Sequence, residues 1–266
     1  MDNQLIQRLK EAKGKGAKLF CAYLTLGFPN LSTTEALILA LAHAGADIIE
    51  LGFPFSDPLA DGPTIQFASA QAIKKNVRLN DAFRLVRKLR KRGLRISILL
   101  FTYLNPIMHY GMSRAIRQLH QSGFDGLIVP DLPPDEGKMW ESWFQRFNLS
   151  LVYLIAPTTD HARAKEIAKR SSGFVYYVSL RGVTGARSSI SPDLIRNLRI
   201  VKKMTKKPVL VGFGVSSPKQ ARAITKVADG IIVGSAIVER LKGGRKGVRS
   251  AVSFASSLMA AMKRKE

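Results

Sequence analysis

A strand-like run leads directly into a stiff acidic loop in the segment Asp47-Ile48-Ile49-Glu50-Leu51-Gly52-Phe53-Pro54-Phe55-Ser56-Asp57-Pro58-Leu59-Ala60-Asp61-Gly62-Pro63. Successive side chains of a strand point to opposite faces, so Ile49 and Leu51 share one face and Glu50 lies on the other. If the two apolar side chains pack outward against helices, Glu50 points into the mouth of a barrel. Three prolines stiffen the loop, which carries Asp57 and Asp61. We therefore expect chemistry at this strand end.

Strand-like runs alternate with amphipathic segments along the chain. One such segment spaces Ala82, Leu85, Val86 and Leu89 so that they form one apolar helical face. The alternation predicts parallel strands joined by crossover helices. The eight runs are 19–25, 47–52, 96–103, 126–130, 149–156, 174–179, 208–212 and 230–233. We expect an α/β protein with a (β/α)8 TIM-barrel fold, although an open doubly wound sheet has the same alternation.

The sequence indicates a single domain. A length of 266 residues suits one α/β barrel, and no Ser/Gly-rich linker or shift in composition divides the chain. Local helix-start signals agree, because residues 32–35 resemble a capping box and Ser191 and Ser217 each stand as an N-cap before a proline. We expect one catalytic domain over residues 1–266, with a short helix near residues 3–13 covering the bottom of the barrel.

Composition excludes several classes of protein. Hydrophobic residues make up 46% and charged residues 23% of the chain, which is typical of a globular domain and not of a disordered or membrane protein. The sequence gives no signal-peptide pattern and no apolar run of membrane-spanning length, so we expect a cytoplasmic protein. The four histidines are too widely spaced for a metal site, and Cys21 is expected to be a buried, inert thiol.

The net charge of +23 is unusual for a barrel enzyme. Much of it lies in predicted helices and their exits, without interleaved aromatic residues: Arg84, Arg87, Lys88, Arg90, Lys91, Arg92, Arg95, Lys202, Lys203, Lys206 and Lys207. We interpret these residues as solvated outer helix faces and do not expect a nucleic-acid partner. Docking of an acidic partner or a polyanion is the alternative.

Barrel enzymes build their active sites at the carboxyl ends of the strands. Burial there raises the pKa of a carboxyl such as Glu50 towards the operating pH, as a general acid or base requires. Asp61 supplies a second carboxylate, whereas Asp57 is better explained by turn chemistry. A salt bridge is the alternative role for Glu50, but no cation lies close to it in sequence.

Two glycine-bearing turns follow the last strands, Gly212-Phe213-Gly214 and Gly234-Ser235-Ala236. Glycine lets the backbone approach a ligand and a helix N-terminus points N–H groups at an anion, so we expect phosphate binding there. A dinucleotide-binding motif would need a third glycine where Ser217 stands. The polar loop after the sixth strand, with Thr184 and Gly185, is suited to closing over a substrate, or it is an ordinary connector.

The segment from Glu50 to Gln66 resembles the signature of tryptophan synthase alpha subunits. Further matches span nearly the whole chain in the family's order: Thr25-Leu26-Gly27, Tyr103 with Asn105-Pro106, Pro130-Asp131-Leu132-Pro133, Gly182-Val183-Thr184-Gly185, Gly212-Phe213-Gly214 and Gly234-Ser235-Ala236-Ile237-Val238. The resemblance implies a lyase of L-tryptophan biosynthesis that cleaves indole-3-glycerol phosphate to indole and glyceraldehyde 3-phosphate, with neither metal nor cofactor in this chain. It also implies a beta-subunit partner that carries pyridoxal phosphate, in an α2β2 heterotetramer.

The resemblance also implies roles for individual residues. Glu50 would move the protons of the cleavage, and Asp61 would accept a hydrogen bond from the indole N–H as positive charge develops. Substrate-binding positions fall on Tyr23, Phe101, Tyr103, Leu127, Pro130, Leu154, Tyr176 and Thr184. Phosphate-binding positions fall on Gly185, Phe213, Gly214, Gly234 and Ser235. The chain departs from the family pattern at Leu180, where some members have arginine, and at Tyr23, where phenylalanine is common.

Other functions stay open at this point. Another phosphate-binding barrel, such as a sugar-phosphate isomerase or epimerase, is disfavoured by the segment from Glu50 to Gln66. A catalytically silent subunit that only activates a beta partner is disfavoured by the intact Glu50 and Asp61. A basic barrel recruited to bind polyanions is a further alternative, and a lack of salt-sensitive polyanion binding would count against it.

Overall fold

The computed structural model describes residues 3–179, 191–212 and 214–263. Within these ranges, nine parallel strands form one sheet in the order β5-β4-β3-β2-β1-β9-β8-β7-β6. The strands are β1 (Leu19–Thr25), β2 (Ile48–Gly52), β3 (Ser97–Phe101), β4 (Gly126–Ile128), β5 (Ser150–Val152), β6 (Leu154–Ile155), β7 (Val175–Val178), β8 (Val209–Gly212) and β9 (Gly230–Val233). All eight predicted runs therefore form strands.

The sheet closes between β5 and β6, which Tyr153 alone separates. β5 pairs with β4 and β6 pairs with β7, so one run of chain joins the two ends of the sheet. The backbone N–H of Tyr153 bonds to Ser171 Oγ at 3.0 Å instead of a strand, which accounts for the interruption. The (β/α)8 barrel is confirmed, and the open doubly wound sheet is not the observed architecture.

Helices surround the barrel. They are α1 (Gln4–Gly14), α2 (Leu31–His43), α3 (Pro63–Ile73), α4 (Leu79–Lys91), α5 (Leu104–Tyr110), α6 (Met112–Ser122), α7 (Pro134–Arg146), α8 (His161–Arg170), α9 (Pro192–Met204), α10 (Pro218–Thr225), α11 (Ser235–Arg240) and α12 (Arg245–Lys263), with a 3-10 turn at Leu241–Gly243. The side chains of the predicted apolar face of α4 are all buried. None of the described helices combines the length and apolar composition needed to cross a membrane.

The helix starts follow local capping chemistry. The Oγ atoms of Ser191 and Ser217 accept hydrogen bonds at the starts of α9 and α10, as predicted. The predicted capping box at residues 32–35 was wrong, because Asn30 is the N-cap of α2 and accepts the Thr33 N–H at 2.8 Å. Glu35 instead forms ion pairs with Lys88 of α4 and with Arg92, which directly follows that helix.

Three aspartates tie the amino ends of the strands together. Each stands just before a strand, accepts a backbone N–H from a neighbouring strand and pairs with a basic side chain. The sets are Asp47 with the Phe20 N–H and Arg8, Asp125 with the Ile98 N–H and Arg90, and Asp229 with the Val209 N–H and Lys202. The backbone N–H of Gln4 also bonds to Asp125, at 2.8 Å. The N-terminal helix α1 is thus anchored at the bottom of the barrel, where the sequence predicts it.

Strand register decides which side chains enter the interior. Tyr23 lies beside Glu50, and Glu50 lies beside Leu99, so the three share one face of the sheet. Leu51 lies on the opposite face, towards the helices. Glu50 therefore points inward near the carboxyl end of β2, as expected from the alternation along 47–52.

Candidate active site

Glu50 is the only ionisable side chain of β2 and is fully buried. Its Oε1 accepts a hydrogen bond from Cys21 Sγ at 3.5 Å, whereas Oε2 has no hydrogen-bond partner among the described residues. Burial raises the pKa of Glu50 from 4.5 to about 8, and the Cys21 hydrogen bond opposes this shift. A carboxyl of this kind can both give and take a proton near neutral pH.

Two strand-end glycines make room for tyrosine rings beside Glu50. A side chain at Gly52 would overlap the hydroxyl end of Tyr23, and a side chain at Gly212 would overlap that of Tyr176. Both rings are therefore able to lie across the neighbouring strand inside the barrel. The charge of Glu50 helps to raise the pKa of each tyrosine, although burial is the main cause. The predicted residues Tyr23 and Tyr176 are thus brought together with Glu50.

Aromatic rings form a wall over the carboxyl ends of β1 to β3. Tyr23 and Phe101 meet edge to face with their ring centroids 5.4 Å apart. Phe55 and Tyr103 lie with centroids 5.3 Å apart, so the loop after β2 packs on this wall. Such a surface suits a flat, apolar ligand.

Asp61 is held by the same loop, close to Tyr103. The Tyr103 hydroxyl accepts the backbone N–H of Ala60 at 3.0 Å, and the Asp61 N–H bonds to the Pro58 carbonyl at 2.9 Å. Burial raises the pKa of the Asp61 carboxyl from 3.8 to about 6, while a hydrogen bond with Tyr103 opposes the rise. Asp61 therefore sits in a drier setting than a loop aspartate usually does.

Asp57 differs from Asp61 in its exposure and in its hydrogen-bond partners. It is exposed, its carboxylate accepts the Ser56 hydroxyl at 2.6 Å, and its carbonyl accepts the Leu59 N–H. These are local loop contacts, as the sequence predicts for this residue.

Leu127 is the predicted pocket residue that the structure separates from the others. It lies beside Leu100 in the β3–β4 register, whereas Ile128 lies beside Phe101. Because neighbours in register share a face, Ile128 and not Leu127 is on the side of the aromatic wall.

Pro130 and Leu154 line a cavity of about 290 Å³ at the carboxyl ends of β4 and β6. Leu154 is also the register neighbour of Tyr176, so the two residues share one face of the sheet. A larger cavity, of about 480 Å³, lies beside Asp47 at the amino ends of β2 and β3 and is lined by none of the predicted site residues.

The turn after β9 has the geometry expected of an anion site. Gly234 is the N-cap of α11, which begins at Ser235, and no side chain among the described residues caps this helix start with a hydrogen bond. Gly214 has φ +83°, in the left-handed region that favours glycine. The predicted residues Thr184, Gly185 and Phe213, and the departure at Leu180, lie outside the described residues.

Sequence reasoning missed two contributors to this site. Cys21 was expected to be inert, yet its thiol contacts Glu50; its position two residues before Tyr23 on the same strand face was the available signal. Ile128 was passed over for Leu127, because the register of a three-residue strand cannot be read from an apolar run.

These features define a class of protein. A parallel barrel holds a buried carboxyl of raised pKa at a strand end, beside an aromatic wall and a helix start able to bind an anion. The arrangement is that of a barrel enzyme performing acid-base chemistry on a substrate with a flat apolar part and an anionic group.

The chain belongs to the tryptophan synthase alpha chain family, whose model matches residues 9–265. The alpha chain of Geobacter sulfurreducens is 42% identical over 255 residues, covering 95% of this chain and 96% of that protein. The alpha chain of Halalkalibacterium halodurans is 45% identical over 234 residues, covering 88% of each. The crystal structure of tryptophan synthase subunit alpha from Legionella pneumophila str. Paris has a TM-score of 0.91 at 33% identity and covers 98% of this chain and 99% of that one. The protein is therefore a lyase of tryptophan biosynthesis, and its reaction is the retro-aldol cleavage of indole-3-glycerol phosphate.

Proposed function

We propose that Glu50 performs the proton transfers of this cleavage. Protonation of the indole ring at C3 places positive charge on the ring. Removal of the side-chain hydroxyl proton then lets the C–C bond break as the aldehyde C=O forms, and the bonding electrons return to the ring to give indole. One proton is gained by carbon and one is lost from oxygen, so a single carboxyl that gives and takes a proton suffices.

The observation that carries this role is the burial of Glu50 inside the barrel near the carboxyl end of β2, where its pKa is about 8. We expect Glu50→Gln to lower kcat for indole release by about 10²- to 10⁴-fold, the usual contribution of a general acid or base. Substrate affinity, measured by calorimetry, should be nearly unchanged because the amide keeps the size of the side chain. Wild-type turnover in this variant would exclude the role.

Asp61 stabilises the positive charge in this proposal. Its ionised carboxylate accepts the indole N–H, a hydrogen bond that strengthens as the ring is protonated at C3. The contact between Tyr103 and the loop supports the assignment, because it fixes the backbone next to Asp61. The indole would lie against Tyr23, Phe101 and Tyr176.

The remaining substrate contacts complete the proposal. We assign Ile128, in place of Leu127, to the indole pocket on the basis of strand register, together with Pro130 and Leu154. The phosphate would be bound by Gly185, Phe213, Gly214, Gly234 and Ser235, and Thr184 would be a further substrate-binding residue. We expect inorganic phosphate to compete with the substrate in the wild type and to compete less well in Gly234→Val.

The partner in this proposal is a beta subunit that carries the pyridoxal phosphate, in an α2β2 assembly. The exposed apolar side chains Leu59 and Met108 support a docking face at the carboxyl end of the barrel, since 92% and 56% of them are exposed. Leu59→Ser should weaken the stimulation of indole release by a beta subunit, whereas Ile73→Ser, on a partly exposed residue at the far end of α3, should not. Equal stimulation in both variants would exclude this face. We also propose that residues 1–266 act as one catalytic domain in the cytoplasm.

A further inference from the structure

The thiol of Cys21 is the one hydrogen-bond donor to Glu50 in the described part of the chain. Cys21 lies on β1, shares the inner face with Tyr23 and is fully buried. Its Sγ stands 3.5 Å from Oε1 of Glu50, within the range of an S–H···O bond. The other carboxylate oxygen, Oε2, is equally buried and has no hydrogen-bond partner in the described residues. The two oxygens of Glu50 are therefore not equivalent.

The proton of this contact belongs to the thiol. Burial, then the nearby charge of Glu50, raise the pKa of Cys21 well above its usual value, so the group stays S–H across the working pH range. A thiol donates to an ionised carboxylate more strongly than to a neutral carboxyl. The contact therefore favours the state in which Glu50 is ready to accept a proton.

We propose that Cys21 is a positioning residue of the lyase, whose S–H···Oε1 hydrogen bond fixes the Glu50 carboxylate so that Oε2 is left for the substrate. This inference rests on the proposed role of Glu50 in proton transfer. A cation at this place would hold the carboxylate in its ionised form too strongly to let it be protonated. An apolar residue would leave both oxygens without a partner and the side chain free to rotate about its last bond.

Other titratable groups near Cys21 and Glu50 also influence how these two residues respond to pH. Tyr23 on β1 and Tyr176 on β7 are both influenced by Glu50. Asp61 acts on both tyrosines, and Asp47, at the start of β2, acts on Cys21. None of these groups is removed by a change at Cys21, so the effect of the thiol is separable from theirs.

Three variants isolate the hydrogen bond. Cys21→Val removes the donor and keeps a small apolar side chain, while Cys21→Ser keeps a donor. Ser97→Ala is the matched control, because Ser97 is also buried at a strand of the barrel, but its hydroxyl has no hydrogen-bond partner in the described residues. We expect Cys21→Val to lower kcat several-fold with KM nearly unchanged. The limb of the pH profile that reports Glu50 should move up by about half to one pH unit, since a donor to the charged form is lost. Cys21→Ser should restore most of both, and Ser97→Ala should resemble the wild type.

A spectroscopic measurement tests the contact without using activity. Cys21 is the only cysteine of the chain, so the infrared S–H stretching band arises from one residue. In the wild type this band should shift with pH along the titration of Glu50, and in Glu50→Gln it should lose that pH dependence. A band that ignores both pH and Glu50→Gln overturns the proposal, whatever the enzyme's activity.

The positioning role of Cys21 and the proton-transfer role of Glu50 are overturned by different results. A responsive band with a Cys21→Val pH profile equal to that of the wild type overturns the positioning role and leaves the role of Glu50 intact. Full activity in Glu50→Gln overturns the proposed function itself. Loss of activity in Cys21→Val with an unmoved pH profile identifies a merely structural role, and it also overturns the proposal.

Discussion

Replacing Glu50 with glutamine should stabilise the fold, and the gain should grow with pH. The pKa of Glu50 is about 8 in the folded protein against an ordinary value of 4.5. A carboxyl with a raised pKa binds more protons when folded than when unfolded, so between these two pH values the wild type loses stability as the pH rises. The loss is about 1.4 kcal/mol for each pH unit and reaches about 3 kcal/mol near pH 7. It levels off above pH 8 and disappears below pH 4.5, where the carboxyl is protonated in both states.

Urea unfolding of the two proteins at several pH values between 5 and 8.5 measures this effect. Glutamine does not titrate, so any cost of burying its amide is the same at every pH, and the slope of the difference in unfolding free energy is the quantity tested. A constant difference between Glu50→Gln and the wild type from pH 5 to pH 8 would refute the raised pKa, and with it the basis of the proton-transfer role.

Three further outcomes follow from contacts elsewhere in the barrel. Tyr103→Phe removes the hydrogen bond that opposes the rise of the Asp61 pKa from 3.8 to about 6, so the loss of cleavage on the acid side should begin at a higher pH, as a kcat/KM profile would record. Gly52→Ala forces a methyl group against the Tyr23 ring and should destabilise the fold by about 1–3 kcal/mol in urea unfolding while lowering substrate affinity. Arg90→Met leaves the buried Asp125 carboxylate without its cation and should cost about 3 kcal/mol in the same assay, with kcat/KM unchanged at a temperature where the variant is folded.

The sequence predicts this fold well because the interior of a parallel barrel is apolar along whole strands. The run 19–25 coincides with β1, and the alternation along 47–52 places Glu50 inside. The interruption at Tyr153 was not predictable, because it depends on a hydrogen bond with Ser171, which is distant in sequence. Local signals also compete: Asn30 displaced the expected cap of α2, since both cap patterns are present within a few residues.

The residues of the site were also only partly predictable from the sequence. Glu50 and Asp61 can be singled out because a carboxylate after an apolar run has few structural explanations, and the family signature adds their roles. The pairing of Ile128 with Phe101, and the thiol contact to Glu50, depend on strand register and on which side chains meet across β1 and β2. These contacts depend on the tertiary structure, so no local sequence pattern determines them.

The carboxylates at the two ends of the barrel differ in the number and kind of their partners. At the amino end, Asp47, Asp125 and Asp229 each receive a backbone N–H and a cation, and such fully partnered carboxylates hold neighbouring strands together. At the carboxyl end, Glu50 receives only a thiol, and burial therefore dominates its pKa. A cation beside Glu50 would lower its pKa, as Arg90 does at Asp125 against the effect of burial, and a Glu50 without any donor would have a higher pKa and would give its proton to the substrate less readily. The weak donor at Cys21 lies between these limits, and the stability that Glu50 gives up must be supplied by the rest of the barrel, including its amino end.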